Sequence, residues 1–196
     1  LAHLPHIPLP GGERASREPW RVAAGWLIRN GLGDEAARRY GREPSFVELS
    51  EQVTHRLRCP DSSSSSRWFD AIASLAGLCS RQSFSSEARL RLEALARPVA
   101  PLAGGWQVSA ANLLDLTPLA RQLLQLHDPL AIASLWHATL AHALADWARP
   151  EALRTVSCSN VAKSPCCCAG NCSTAAAWYL LWSCRYVAAS PAKPAR

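Results

Sequence analysis

The chain has 196 residues, 48% of them hydrophobic and 18% charged, with a net charge of +6. That length suits one domain, and that apolar content excludes a disordered, collagen-like or purely disulfide-held chain. The arginines (Arg38, Arg39, Arg56, Arg58, Arg89 and Arg91 among them) are scattered between Glu and Asp, as on solvated helix faces, and do not form the dense basic patch of a nucleic-acid binder.

The opening His3 to Pro10 is extended and proline-rich and turns at Gly11-Gly12. Pro19 sits where a first helical turn tolerates it, and Trp20, Ala23, Ala24 and Leu27 form an apolar stripe, with Gly31 and Gly33 ending that helix. Asp34 is placed to cap a short helix through Tyr40, with Gly41 as its stop. Ser45 and Glu48 have the capping-box spacing, predicting a third helix from Phe46 to Leu57.

Cys59 to Ser66 reads as a serine loop, followed by a helix buried on one side through Trp68, Phe69, Ile72, Leu75 and Cys79. Ser85 or Ser86 can cap a helix from Glu87 to Ala96, stopped by Pro98. Trp106-Gln107-Val108 alternates and is the best strand candidate. Thr117-Pro118 opens a helix to Leu126, and Pro129 opens the longest one, expected to end before Pro150. Trp20, Trp26, Trp68 and Trp136 are read as core residues. His55, His127, His137 and His142 lie on predicted helices with no G-x-S-x-G or H-E-x-x-H pattern near them; no catalytic set emerges, and a hydrogen-bonded structural histidine is the reading for His137.

Composition changes at about residue 155, dividing the chain into a helix-rich part, 1–154, and an atypical tail, 155–196, read as frameshifted or disordered. Cys158, Cys166, Cys167, Cys168, Cys172 and Cys184 lie in that tail. Only Cys168 and Cys172 have a zinc-site spacing and no histidine follows His142, so no metal site is expected. The consecutive cysteines match what leucine CTG codons give when read one base late. The chain has no methionine, and Leu1 stands first, so it reads as a piece of something longer. No signal peptide is apparent, and the run from Ala175 to Cys184 is short of the roughly 20 residues that span a bilayer. A cytoplasmic protein with neither nucleic acid nor membrane as partner is expected.

Four segments in the same order resemble the hydrogenase-maturation carbamoyltransferases of the HypF type. His3 to Glu13 followed by Arg17-Glu18-Pro19-Trp20-Arg21 is similar to the family's PFPLPGGD…REPWR; Ser65-Ser66-Arg67-Trp68-Phe69-Asp70-Ala71 is similar to SSxGRLFDA. Leu92 to Ala96 and His137-Ala138-Thr139-Leu140-Ala141 are the third and fourth. The resemblance implies a mainly α fragment of an α/β, actin-like ATPase-type domain, incomplete and with an irregular C-terminal tail, related to the tRNA threonylcarbamoyl-transfer enzymes. It implies ATP and carbamoyl phosphate as substrates of the full-length relative, by way of a carbamoyl-adenylate. The partner implied is a hydrogenase-maturation protein of the HypE type that accepts the carbamoyl group on a C-terminal cysteine. Zinc belongs to the full-length family, but its ligands have no counterpart in this chain.

Residue by residue, Asp70 matches the aspartate that accepts hydrogen bonds from the nucleotide ribose, and Arg67 and Ser66 accompany it as nucleotide-binding candidates. The alternative for Asp70 is a place on the exposed face of a buried helix. Several positions depart from the family. Ser66 replaces a glycine; Phe84-Ser85-Ser86-Glu87-Ala88 replaces YEGQA; Ser159, Asn160 and Ser164 fall where LSGGVxxNRLLL has two glycines and an asparagine; NDGG has no counterpart. Side chains at phosphate-site glycines hinder close approach, so the isolated chain is expected to lack catalysis, as a fragment or as a non-catalytic helical packing module.

Overall fold

A computed structural model describes residues 3–158. Strand β1 (Ile7–Pro8) leads into a short helix α1 (Glu13–Arg17), then α2 (Pro19–Arg29), α3 (Gly33–Tyr40) and α4 (Phe46–His55). Strand β2 (Asp61–Ser62) and helices α5 (Ser65–Leu75) and α6 (Glu87–Leu95) follow, then β3 (Gln107–Val108), β4 (Leu114–Asp115), α7 (Thr117–Leu123) and α8 (Pro129–Cys158). The strands form two antiparallel ribbons, β1 with β2 and β3 with β4, and an isolated bridge joins His3 to Leu113. The predominance of helix agrees with the sequence reading.

Helices α2 and α5 form the centre and pack on each other most extensively; α3 and α4 flank α2, while α6 and α8 close over α5. All four expected tryptophans are buried. Trp26 meets Trp68 edge-on with ring centres 6.1 Å apart, Trp68 stacks on Trp136 at 6.4 Å, and Phe69 meets Trp136 edge-on at 5.6 Å. One aromatic column therefore joins α2, α5 and α8. The β1 segment lies so close to α2 that a Cβ on Gly25 would stand 2.9 Å from Pro10 Cγ, so glycine there serves packing despite its low helix propensity.

Several boundaries differ from expectation. α4 ends at His55, not Leu57, because Arg56 turns left-handed at φ 54°. The Ser45 side chain makes no capping bond, and Glu48 instead accepts from Gln52 Nε2 at 2.9 Å. The serine loop is shorter than expected, since β2 and the first turn of α5 take part of it. α7 stops at Leu123, and α8 runs on through Pro150, where proline removes one backbone donor without ending an established helix. Asp128 caps α8, its two carboxylate oxygens accepting from Leu130 N at 3.0 Å and Ala131 N at 3.3 Å. Among the described residues no helix is long and apolar enough to cross a membrane. Of the cysteine cluster, Cys158 closes α8 and the others lie outside the described residues.

Candidate functional site

Asp70 sits in the second turn of α5, and its residue is only 3% exposed. The alternative reading, an exposed helix face, does not hold: the flanking Phe69 and Ala71 are also buried, because α5 is wrapped by α2, α6 and α8 on several sides. Arg67 lies one turn earlier, its Nη1 3.0 Å from Asp70 Oδ2. That approach is an ion pair without hydrogen-bond alignment, so Arg67 Nη1 and Asp70 Oδ2 are both buried without a hydrogen-bond partner. Ser66 is exposed on the turn before. The three candidates therefore share one end of α5, with Asp70 inside, Arg67 over it and Ser66 at the surface.

The other carboxylate oxygen is held by a residue that sequence reasoning missed. Gln82 Nε2 donates to Asp70 Oδ1 at 3.2 Å and to the Ser16 carbonyl at 2.7 Å, and Gln82 Oε1 accepts from Ala88 N at 3.3 Å. One amide thereby ties α5 to α1 and α6. Nothing local in the sequence marks Gln82, since Ser16 and Asp70 lie on other helices. Glu18, inside the segment similar to REPWR, is a second such centre: its carboxylate meets Arg14, Arg21 and Arg81.

Burial pushes the Asp70 carboxyl up to about 6, against the pull of Arg67 and Gln82. Burial also pushes His137 down to about 4; its ring lies against Phe69 at 5.7 Å and its Nδ1 meets the Ala133 carbonyl at 2.8 Å. His137 is thus a buried, hydrogen-bonded histidine of α8, as the sequence suggested. The two groups have opposite effects in acid. Asp70, with its folded pKa raised from 3.8, makes the folded state bind the extra proton, so its contribution grows as pH falls from about 6 towards 3.8. His137, with its folded pKa lowered from 6.5, contributes stability above 6.5 that is lost as pH falls towards about 4. Each effect is on the order of 3 kcal/mol, so they largely cancel. Asp70→Asn is expected to unmask His137: relative to the parent, the variant gains about 1–3 kcal/mol above pH 6.5 and loses that gain by pH 4. Urea midpoints across that range check this; a constant difference between the two proteins would disprove it.

Ser86 stands where the family's YEGQA has glycine, and it keeps the backbone conformation that favours glycine, at φ 69°. Its side chain makes no cap bond; Glu87 instead reaches back to accept from Ser83 N at 2.5 Å. Ser86→Gly is expected to stabilise the fold by about 1 kcal/mol, read as a raised urea midpoint at unchanged slope.

The family model described as "Carbamoyltransferase, Kae1-like Domain, second subdomain" matches residues 1–172. Among curated proteins, the chain is 37% identical over 176 residues to Carbamoyltransferase HypF2 of Cupriavidus necator, covering 75% of this chain and 22% of that protein. It is 39% identical over 167 residues to the Carbamoyltransferase HypF homolog of the same organism, covering 78% of this chain and 42% of that protein. It is 40% identical over 151 residues to Carbamoyltransferase HypF of Rhodobacter capsulatus, covering 76% and 20% respectively. The chain thus spans between a fifth and two fifths of the length of these relatives. Its fold is that of a part of full-length HypF solved in a phosphate- and nucleotide-bound form, with a TM-score of 0.70 at 23% identity over 80% of this chain and 21% of that one.

Proposed function

This chain belongs to the HypF carbamoyltransferase family, and on that premise we propose that it supplies the nucleotide grip of a carbamoyl-transfer enzyme, with Asp70 accepting the ribose hydroxyls of an adenine nucleotide. The whole protein would take carbamoyl phosphate and ATP, form a carbamoyl-adenylate and pass the carbamoyl group to a cysteine of a partner protein in hydrogenase maturation. The observation that carries the reading is Asp70 Oδ2, a buried carboxylate oxygen with a charge beside it and no hydrogen-bond donor. A ribose hydroxyl would satisfy it with a charge-assisted bond. Arg67, whose side chain is 18% exposed, would swing outward to admit the sugar, while Gln82 keeps the carboxylate oriented through Oδ1. Burial at this position costs stability in the unliganded chain, which fits a group kept for binding.

A second reading, a helical packing module without activity, is favoured by Ser66 and Ser86 standing where the family has glycines. Titrating ATP into the 196-residue chain separates the two. The first reading expects saturable, weak binding that Asp70→Ala lowers at least about tenfold, the worth of a bond to a charged group. Equal ATP affinity in a folded Asp70→Ala variant would rule the ribose role out, and no ATP binding by the parent chain would favour the packing module.

A further inference from the structure

A cavity of about 310 Å³ among the described residues lies away from Asp70. It lies between the Gly11-Gly12 turn, the α4 face carrying Glu48 and Gln52, and the stretch Arg58 to Pro60 that leads into β2. Three guanidinium groups line it: Arg14 from α1, Arg21 from α2 and Arg58. Gly11, Arg14 and Arg21 come from the opening segments of the chain, and Arg58 from the stretch after α4; the ribose reading leaves all four without a task.

Arg21 is the informative member. It is 2% exposed, and its guanidinium lies over the Trp20 ring with Cζ 4.9 Å from the centre. Nε donates to Glu18 Oε2 at 2.5 Å, but Nη2 is buried with no hydrogen-bond partner. A buried guanidinium donor left open is costly, and an incoming acceptor removes that cost. Arg58 forms no ion pair among the described residues; its backbone is left-handed at φ 49°, and its carbonyl accepts from Gly11 N at 2.9 Å, which holds the turn against it. Gly11 itself is left-handed at φ 82°, a conformation glycine adopts without strain, and so sets the tight turn that runs beside Arg21.

The charge balance selects the ligand. Glu48 is the one carboxylate lining the cavity, and it already accepts from Gln52. Glu18 stands behind Arg14 and Arg21 and offsets a second charge. One guanidinium of the three therefore remains uncompensated, with a further buried donor facing no acceptor. Planar guanidinium forks lining one cavity match the chemistry of a phosphate group, which presents several acceptor oxygens at once.

We propose that the cavity bounded by Gly11, Arg14, Arg21 and Arg58 is a binding site for a phosphate group, separate from the Asp70 site and independent of any ribose role there. Arg21 supplies the buried donor, Arg58 the charge at the rim, and Gly11 the tight turn that forms one wall. The phosphate is free inorganic phosphate or the phosphate of a nucleotide.

The test is calorimetric titration of inorganic phosphate into the 196-residue chain, with ionic strength held constant by chloride. Saturable binding is expected, weakened at least about tenfold in Arg58→Ala, the worth of one charge-assisted hydrogen bond. Arg58 is at the surface, so that variant keeps its fold; Arg21→Lys, which retains charge but loses the fork, should weaken binding comparably. Asp70→Asn should leave phosphate affinity unchanged, and this separates the proposal from the ribose reading. Competition by AMP would assign the occupant to a nucleotide phosphate, and its absence to free phosphate. No saturable binding up to about 10 mM, or equal affinity in Arg58→Ala, would overturn the proposal.

Discussion

Trp136→Ala is expected to cost about 3–5 kcal/mol, a large share of the stability of a chain this size. Trp136 has no exposed surface, stacks on Trp68 and meets Phe69 edge-on, so with His137 against Phe69 its indole joins α8 to α5. Truncation leaves a cavity between rigid helices that cannot close without moving α8. Urea denaturation should show a lower midpoint at unchanged slope; a loss under about 1.5 kcal/mol would mean that the helices collapse into the space. Trp136→Phe should cost clearly less than its lost area implies. The indole Nε1 is buried without a hydrogen-bond partner, and phenylalanine removes that unmet donor along with the ring it belongs to.

Glu18→Gln is expected to cost a comparable amount, about 3–5 kcal/mol, by a different route. The Glu18 carboxylate lies 3.0 Å from Arg14 Nε, 2.5 Å from Arg21 Nε and 3.0 Å from Arg81 Nη1. Burial alone would raise its pKa, but hydrogen bonds from Arg21 and Arg14 hold it below the usual carboxylate range. The amide is nearly isosteric, so packing is kept while the charge is lost. What remains is the Arg21 guanidinium, almost fully buried, with no counter-charge. Removing that guanidinium as well should recover part of the loss: Glu18→Gln with Arg21→Met should be more stable than Glu18→Gln alone. If the double variant is the weaker of the two, the cost comes from packing at Glu18 and not from an orphaned charge.

Much of the helical framework was legible before any coordinates. Pro19, Thr117-Pro118 and Pro129 each open a helix where expected, because proline's fixed φ and missing donor suit a first turn and little else. Trp20, Trp26, Trp68 and Trp136 were legible as core because the space between packed helices is where so much apolar area is hidden. The Ser45–Glu48 spacing placed the start of α4 correctly at Phe46, but the capping bond it implies is not made, because Glu48 has Gln52 one turn away as a competing partner. The start of α5 within the serine loop was missed because serine's local preference is weak and the helix there is held by packing against α2.

The site divides along the same line. Asp70, Arg67 and Ser66 could be named because they are neighbours on one helix and sit inside a segment that resembles a family motif. Gln82 could not be, since its role exists only once α1, α5 and α6 are brought together. The β1–β2 ribbon is a similar case: two residues from the opening proline-rich stretch pair with two from the serine loop, a contact that neither segment encodes alone.

By itself, then, the order of residues determined which stretches become helices, which side chains must be hidden and which family the chain resembles, because those depend on local dihedral preference, apolar periodicity and motif spacing. Tertiary packing alone decided the depth of Asp70, the open donor on Arg21 and the cavity beside Gly11. Burial and unmet hydrogen bonds are properties of what surrounds a group, and those surroundings come from residues far away along the chain.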